Sequence, residues 1–147
     1  MKRIALPVNA MARYLMDEFW PGKITFVVFA RPELPYGLTA SSNKVGIRLV
    51  AHPVARDLIR VVDKPLTGTS ANISGTGGCA SVEELDDALK RRVDLIIDAG
   101  ILKGGPGSTV VDVSGARPEI LRPGAIAVDS VWQAYRRYTA KNIDNPD

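Results

Sequence analysis

The stretch Ile24-Thr-Phe-Val-Val-Phe-Ala30 is apolar apart from one threonine, rich in β-branched and aromatic residues, and framed by Pro21-Gly22 before it and Arg31-Pro32 after it. A run of this length between chain breakers predicts a strand, and its near-continuous apolarity predicts burial on both faces. N-terminal to it, Val8, Met11, Ala12, Leu15, Met16 and Phe19 fall at the spacing of one buried helix face, which Pro21 and Gly22 terminate. C-terminal to it, residues 31–44 read as a surface loop and residues 45–50 as a second strand with one charge, Arg48, among apolar neighbours. Pro53 then opens a helix on which Val54, Leu58, Ile59 and Val62 share a face.

Residues 65–70 read as a short strand that runs into a glycine-rich loop ending near Gly78. Ser81 and Glu84 have capping-box spacing and predict a helix with Val82, Leu85, Ala88 and Leu89 on its apolar side. Residues 94–98 and 109–113 are β-type runs separated by a glycine-rich loop, residues 119–122 form a further small strand, and residues 131–138 form a helix. Residues 141–147 are expected to be a flexible tail. The expected fold class is α/β (α+β), a twisted mixed sheet with flanking helices, built as one domain over residues 1–140.

Composition narrows the function classes. Thirteen Gly and 10 Pro in 147 residues argue against a simple helical bundle. The single cysteine, Cys79, has no partner for an internal disulfide, so a reducing, cytoplasmic setting is expected. The longest apolar runs fall well short of the roughly 20 residues that span a bilayer, so no integral membrane role is expected. A net charge of +3 permits an anionic partner without requiring one. One His and one Cys cannot build a zinc site, and the chain has no G-x-S-x-G, no Walker-type loop and no G-x-G-x-x-G. His52, just before Pro53, reads as a turn residue.

Three loops nevertheless put glycines and small hydroxyl residues at apparent strand ends: residues 67–75, residues 104–109 and the Leu121-Arg-Pro-Gly124 turn. Glycine lets backbone N–H groups approach an anion, hydroxyls add donors, and arginine clamps carboxylate or phosphate. Arg48 and Arg122 are the candidate clamps.

The ordered series Phe19-Trp-Pro-Gly-Lys-Ile-Thr25, Val45-Gly-Ile-Arg-Leu-Val-Ala-His-Pro53, Pro65-Leu-Thr-Gly-Thr-Ser-Ala-Asn-Ile-Ser-Gly75, Val93-Asp-Leu-Ile-Ile-Asp-Ala-Gly100, Ser108-Thr-Val-Val-Asp112 and Ile120-Leu-Arg-Pro-Gly-Ala-Ile126 closely resembles the YrdC-like domain family. The resemblance implies a YrdC-like fold and relation to threonylcarbamoyl-AMP synthases. These nucleotidyltransferases join L-threonine, bicarbonate and ATP into threonylcarbamoyl-adenylate, releasing pyrophosphate, in tRNA threonylcarbamoyladenosine formation. By the same resemblance, Arg48, Gly68 and Ser108 would contact threonine, and Ser70, Asn72, Gly78 and Arg122 would contact the nucleotide. It assigns no catalytic residue and no metal site. ATP would enter as a substrate with Mg2+, and no tightly bound cofactor is implied. Asp112 reads as a residue that pins a turn.

Two departures from the family pattern shape the expectation. The family's Pro-Ser-Pro-Thr is replaced by Gly77-Gly-Cys-Ala80, which removes a hydroxyl contact at Gly78. The family's first segment, with its threonine-tyrosine-glycine loop and lysine-x-arginine motif, is not matched by Met1-Lys-Arg-Ile-Ala-Leu6, so an N-terminally shortened fold with impaired turnover is expected. The alternative is a non-catalytic module that binds nucleotide or double-stranded RNA, with Lys90, Arg91, Arg92, Arg136, Arg137 and Lys141 meeting phosphates. A shortened sheet also leads to the expectation of a homo-oligomer.

Overall fold

Alternation, not continuous burial, governs the central strand. The computed structural model describes residues 1–39, 42–73, 75 and 77–143. In it, β1 (Ile24–Phe29) buries Ile24, Phe26 and Val28 completely, whereas Thr25 and Val27 are half-buried and Phe29 is exposed. The expectation of burial on both faces is thereby corrected: one face of the strand meets the helices, and the other carries polar chemistry. β1 pairs antiparallel with β2 (Lys44–Ile47) and parallel with β3 (Thr109–Asp112), which pairs antiparallel with β4 (Glu119–Arg122). The order β2-β1-β3-β4 is a mixed sheet, as expected from the sequence.

Two helices close the apolar face. α1 (Ala10–Phe19) begins at Asn9, whose side-chain oxygen accepts from the Ala12 N–H at 2.8 Å while its amide donates to the Gly115 carbonyl at 3.0 Å. One asparagine therefore caps the helix and ties it to the segment after β3. Met11, Ala12, Leu15 and Met16 of α1 and Val131 and Ala134 of α5 (Val128–Ile143) join the β1 and β3 side chains in one buried cluster. Each large side chain in such a cluster contributes about 1.5–3 kcal/mol through the area it removes from water. The C-terminal helix is longer than the expected residues 131–138 and takes in residues 141–143 of the expected tail. Residues 144–147 lie outside the described residues, as do Ala40, Ser41, Thr76 and Ser74 of the expected nucleotide loop.

Between β1 and β2 the expected loop contains a single helical turn, α2 (Tyr36–Thr39). α3 (Pro53–Val62) starts at Pro53 as expected, and its Val54, Leu58 and Val62 are partly exposed.

The chain divides into two compact units, one from residues 1–65 together with the residues from 106 onward, and a second over Leu66–Gly105. The second unit departs from the sequence expectations. Residues 65–70 and 94–98 are not strands, because all four strands of the sheet come from the first unit, and a β-type run without a hydrogen-bonded neighbour does not become a strand. Nor does the capping box start a helix at Ser81. Glu84 accepts from the Ala80 N–H at 2.8 Å, and the helical turn α4 (Asp87–Lys90) starts instead at Asp86, whose carboxylate accepts from the Ala88 N–H at 2.7 Å. The second acidic cap, two residues beyond Glu84, takes over the helix start.

Candidate functional site

The face of the sheet turned away from α1 and α5 follows from the strand alternation. Val45 and Ile47 of β2 pack toward the core, so Lys44 and Gly46 belong to the opposite face, with Thr25, Val27 and Phe29 of β1. The register places Asp112 beside Val27, and Lys44 reaches across β1 to it, Nζ to Oδ2 at 2.7 Å. Burial raises the Asp112 carboxyl pKa, but the Lys44 ammonium and the hydroxyl and N–H of Ser114 outweigh it and hold the group below the ordinary carboxylate value. Asp112 thus locks three strands together and caps the turn after β3, in keeping with the sequence reading of a pinning residue.

At one end of this sheet the start of β1, the start of β3, the end of β4 and the residue after β2 come together. Ser108 immediately precedes β3, and its Oγ lies 2.8 Å from Thr25 Oγ1. Arg122, the last residue of β4, donates from Nη2 to the Ser108 carbonyl at 2.8 Å and lies 3.4 Å from Ser108 Oγ. Backbone packing brings the arginine here. The Ala125 N–H donates to the Gly107 carbonyl at 2.9 Å, and a Cβ on Gly124 would lie 2.4 Å from that same oxygen. A Cβ on Gly107 would come within 3.3 Å of Arg122 Nη2, so glycine at both positions lets the two loops and the guanidinium approach. Thr109, fully buried, accepts from the Ile126 N–H and donates to its carbonyl at 2.6 Å, which fixes the turn that follows Arg122.

Arg48 lies one residue beyond β2, and its Nε donates to the Gly22 carbonyl at 2.8 Å. That bond holds the stem and leaves the two terminal nitrogens as donors. Among the described residues, neither Arg48 nor Arg122 has a carboxylate partner. Arginine stays charged and only donates, so this end of the sheet is chemically suited to an acceptor-rich anion.

The structure therefore brings two of the sequence-predicted residues, Ser108 and Arg122, into contact and places Arg48 at the same end of the sheet. Gly68, Ser70, Asn72 and Gly78 belong to the second unit. There Gly68, Ser70 and Gly78 are exposed, and the Asn72 amide donates to the Ile73 carbonyl at 3.0 Å. Among the described residues, no Cβ contact restricts Gly68 or Gly78. Sequence reasoning assigned no role to Thr25 or Lys44. The signal for Thr25 was its place as the lone hydroxyl in an otherwise apolar strand. Among the described residues no group of three or more His, Cys, Asp or Glu side chains gathers as a metal site, and no helix is long and apolar enough to cross a membrane.

Comparison with known proteins gives a consistent result. The Sua5/YciO/YrdC family model, described as "Telomere recombination", matches residues 1–124, reaching back beyond the first recognised motif. A threonylcarbamoyl-AMP synthase of Pyrococcus abyssi is 31% identical over 87% of this chain and 38% of its own length. The crystal structure of P. abyssi Sua5 complexed with L-threonine superposes with a TM-score of 0.82 at 30% identity, covering 89% of this chain and 38% of that one. The crystal structure of Escherichia coli YciO gives a TM-score of 0.76 at 30% identity over 86% of this chain and 62% of that one. The chain spans from about a third to just over half the length of the curated synthases it matches.

Proposed function

Because the chain belongs to the Sua5/YciO/YrdC family, we propose that it holds L-threonine and ATP in the manner of a threonylcarbamoyl-AMP synthase. In that reaction the threonine amine and bicarbonate supply a carbamate with loss of water. A carbamate oxygen then bonds to the α-phosphorus of ATP as the bond to pyrophosphate breaks. The observation that carries the reading is the Arg122–Ser108 contact at the sheet end, where a guanidinium with spare donors stands beside a hydroxyl. Likeness to a Sua5 structure that contains L-threonine supports the choice of ligand.

In this reading Arg48 and Ser108 serve threonine. Arg122 serves the nucleotide, which brings its Mg2+ with it. Arg122 opposes the negative charge that builds up as pyrophosphate departs. The adenylate would feed tRNA modification in the cytoplasm, and the exposed apolar side of α3 would support association between copies.

Calorimetric titration with ATP, with and without L-threonine, tests the reading on this chain and on Arg122→Ala. ATP binding that threonine strengthens, and that Arg122→Ala weakens by about 10-fold to 100-fold, is the expected result. Absence of heat with both ligands overturns it. Pyrophosphate release that depends on both threonine and bicarbonate is the companion assay for turnover.

A further inference from the structure

Thr25 is held from two sides. Its Oγ1 lies 2.8 Å from Ser108 Oγ next to β3, while its methyl points toward β2, where a Cβ on Gly46 would come within 3.1 Å of Thr25 Cγ2. A β-branched side chain has few rotamers, and these two neighbours select the one that presents the hydroxyl to Ser108. Ser108 Oγ has one proton and two lone pairs, and Arg122, 3.4 Å away, approaches it only as a donor. The direction of the Thr25–Ser108 hydrogen bond therefore decides what Ser108 offers a ligand. If Ser108 donates to Thr25, its proton is used and it presents only acceptor capacity. If Thr25 donates to Ser108, the serine proton remains for an outside acceptor. With Arg48 and Arg122 at the same end of the sheet and no carboxylate on either among the described residues, the ligand is acceptor-rich, and it favours the second direction.

We propose that Thr25 is a positioning residue that donates its hydroxyl proton to Ser108 and so fixes Ser108 as an outward donor to the carboxylate of an α-amino acid. The inference rests on the reading of this sheet end as the threonine site. It explains why a hydroxyl interrupts an otherwise apolar strand, and why the residue at position 46 is a glycine that leaves the threonine methyl room.

The test is calorimetry of L-threonine binding to the full chain and to Thr25→Val, Thr25→Ser, Ser108→Ala and the double variant Thr25→Val/Ser108→Ala, with thermal melts of each. Thr25→Val keeps the volume and loses the donor, and about tenfold weaker binding is expected. Thr25→Ser keeps the hydroxyl and is expected to bind within about twofold of the unmodified chain. Because both residues act through one hydroxyl, the double variant is expected to bind no more weakly than Ser108→Ala alone, a non-additivity that mere loss of packing would not produce. If Thr25→Val melts early, Thr25→Ala against Thr25→Ser makes the same comparison. Unchanged binding in Thr25→Val, or losses that multiply in the double variant, overturns the inference and leaves the threonine site standing. Failure of the unmodified chain to bind L-threonine overturns both.

Discussion

Val111 and Ile97 both lie in short runs of aliphatic residues, yet Val111 is fully buried and Ile97 is 48% exposed. The difference lies in what stands beside each run. Residues 109–112 have β1 on one side and β4 on the other, so every second side chain is delivered to the cluster beneath α1 and α5. Residues 94–98 have no strand partner among the described residues, and Leu95 and Ile101 stay 75% and 87% exposed. Apolar content supplies a driving force without a direction, and hydrogen-bonded neighbours supply the direction.

The strongest test of this contrast removes one large side chain from each region. Phe26→Ala, at a fully buried position, is expected to lower stability by about 4 kcal/mol, whereas Leu95→Ala is expected to shift it by less than about 0.5 kcal/mol, read as urea midpoints. Equal losses would show that residues 66–105 bury their apolar side chains in solution as thoroughly as the sheet does.

A backbone comparison comes next. A Cβ at Gly124 would meet backbone atoms of Gly107, Ser108 and Thr109 at 2.4–2.5 Å, whereas one at Gly78 would meet nothing within 4 Å among the described residues. Gly124→Ala is therefore expected to cost about 3 kcal/mol and Gly78→Ala almost nothing, measured by thermal melting followed by circular dichroism. A benign Gly124→Ala would mean that the two loops at the sheet end part without penalty.

The smallest expected effect contrasts two ion pairs. Asp112→Asn, which uncouples Lys44 across β1, is expected to lower stability at neutral pH by about 2 kcal/mol. Asp87→Asn, at an aspartate of the other unit that pairs with Lys90 and is 76% exposed, is expected to change little. Because the folded-state pKa of Asp112 is depressed, its contribution is full above the unfolded carboxylate value and fades as the pH falls through the lower folded value. The unmodified chain and Asp112→Asn should therefore converge in stability in strong acid, and a gap that stays constant with pH would assign the loss to packing.

Much of the first unit was legible in the sequence because its elements satisfy local and tertiary demands together. The helix periodicity of residues 8–19, the breakers around β1 and the short runs at 109–112 and 119–122 all point to the structure found. The second unit was misread where a local signal met no tertiary partner, as at residues 65–70 and 94–98, or met a stronger local competitor, as at Asp86. The sheet end was partly legible. Arg48 and Arg122 stood out by residue type and Ser108 through the family resemblance, whereas Thr25 and Lys44 acquire partners only when strands far apart in sequence become neighbours.

That separation also bears on how the molecule is made. β1 ends at Phe29, but the strand that pairs with it in parallel starts at Thr109. On a chain emerging from the ribosome, β1 has only β2 for company until β3 arrives, and a two-stranded ribbon is marginally stable in water. The exposed edge of β1 during that interval is the point at which a nascent chain is most vulnerable to pairing with another copy or to capture by a chaperone. The cost of closing the intervening loop grows only logarithmically with its length, so trimming residues 66–105 would shorten the wait without greatly easing the closure.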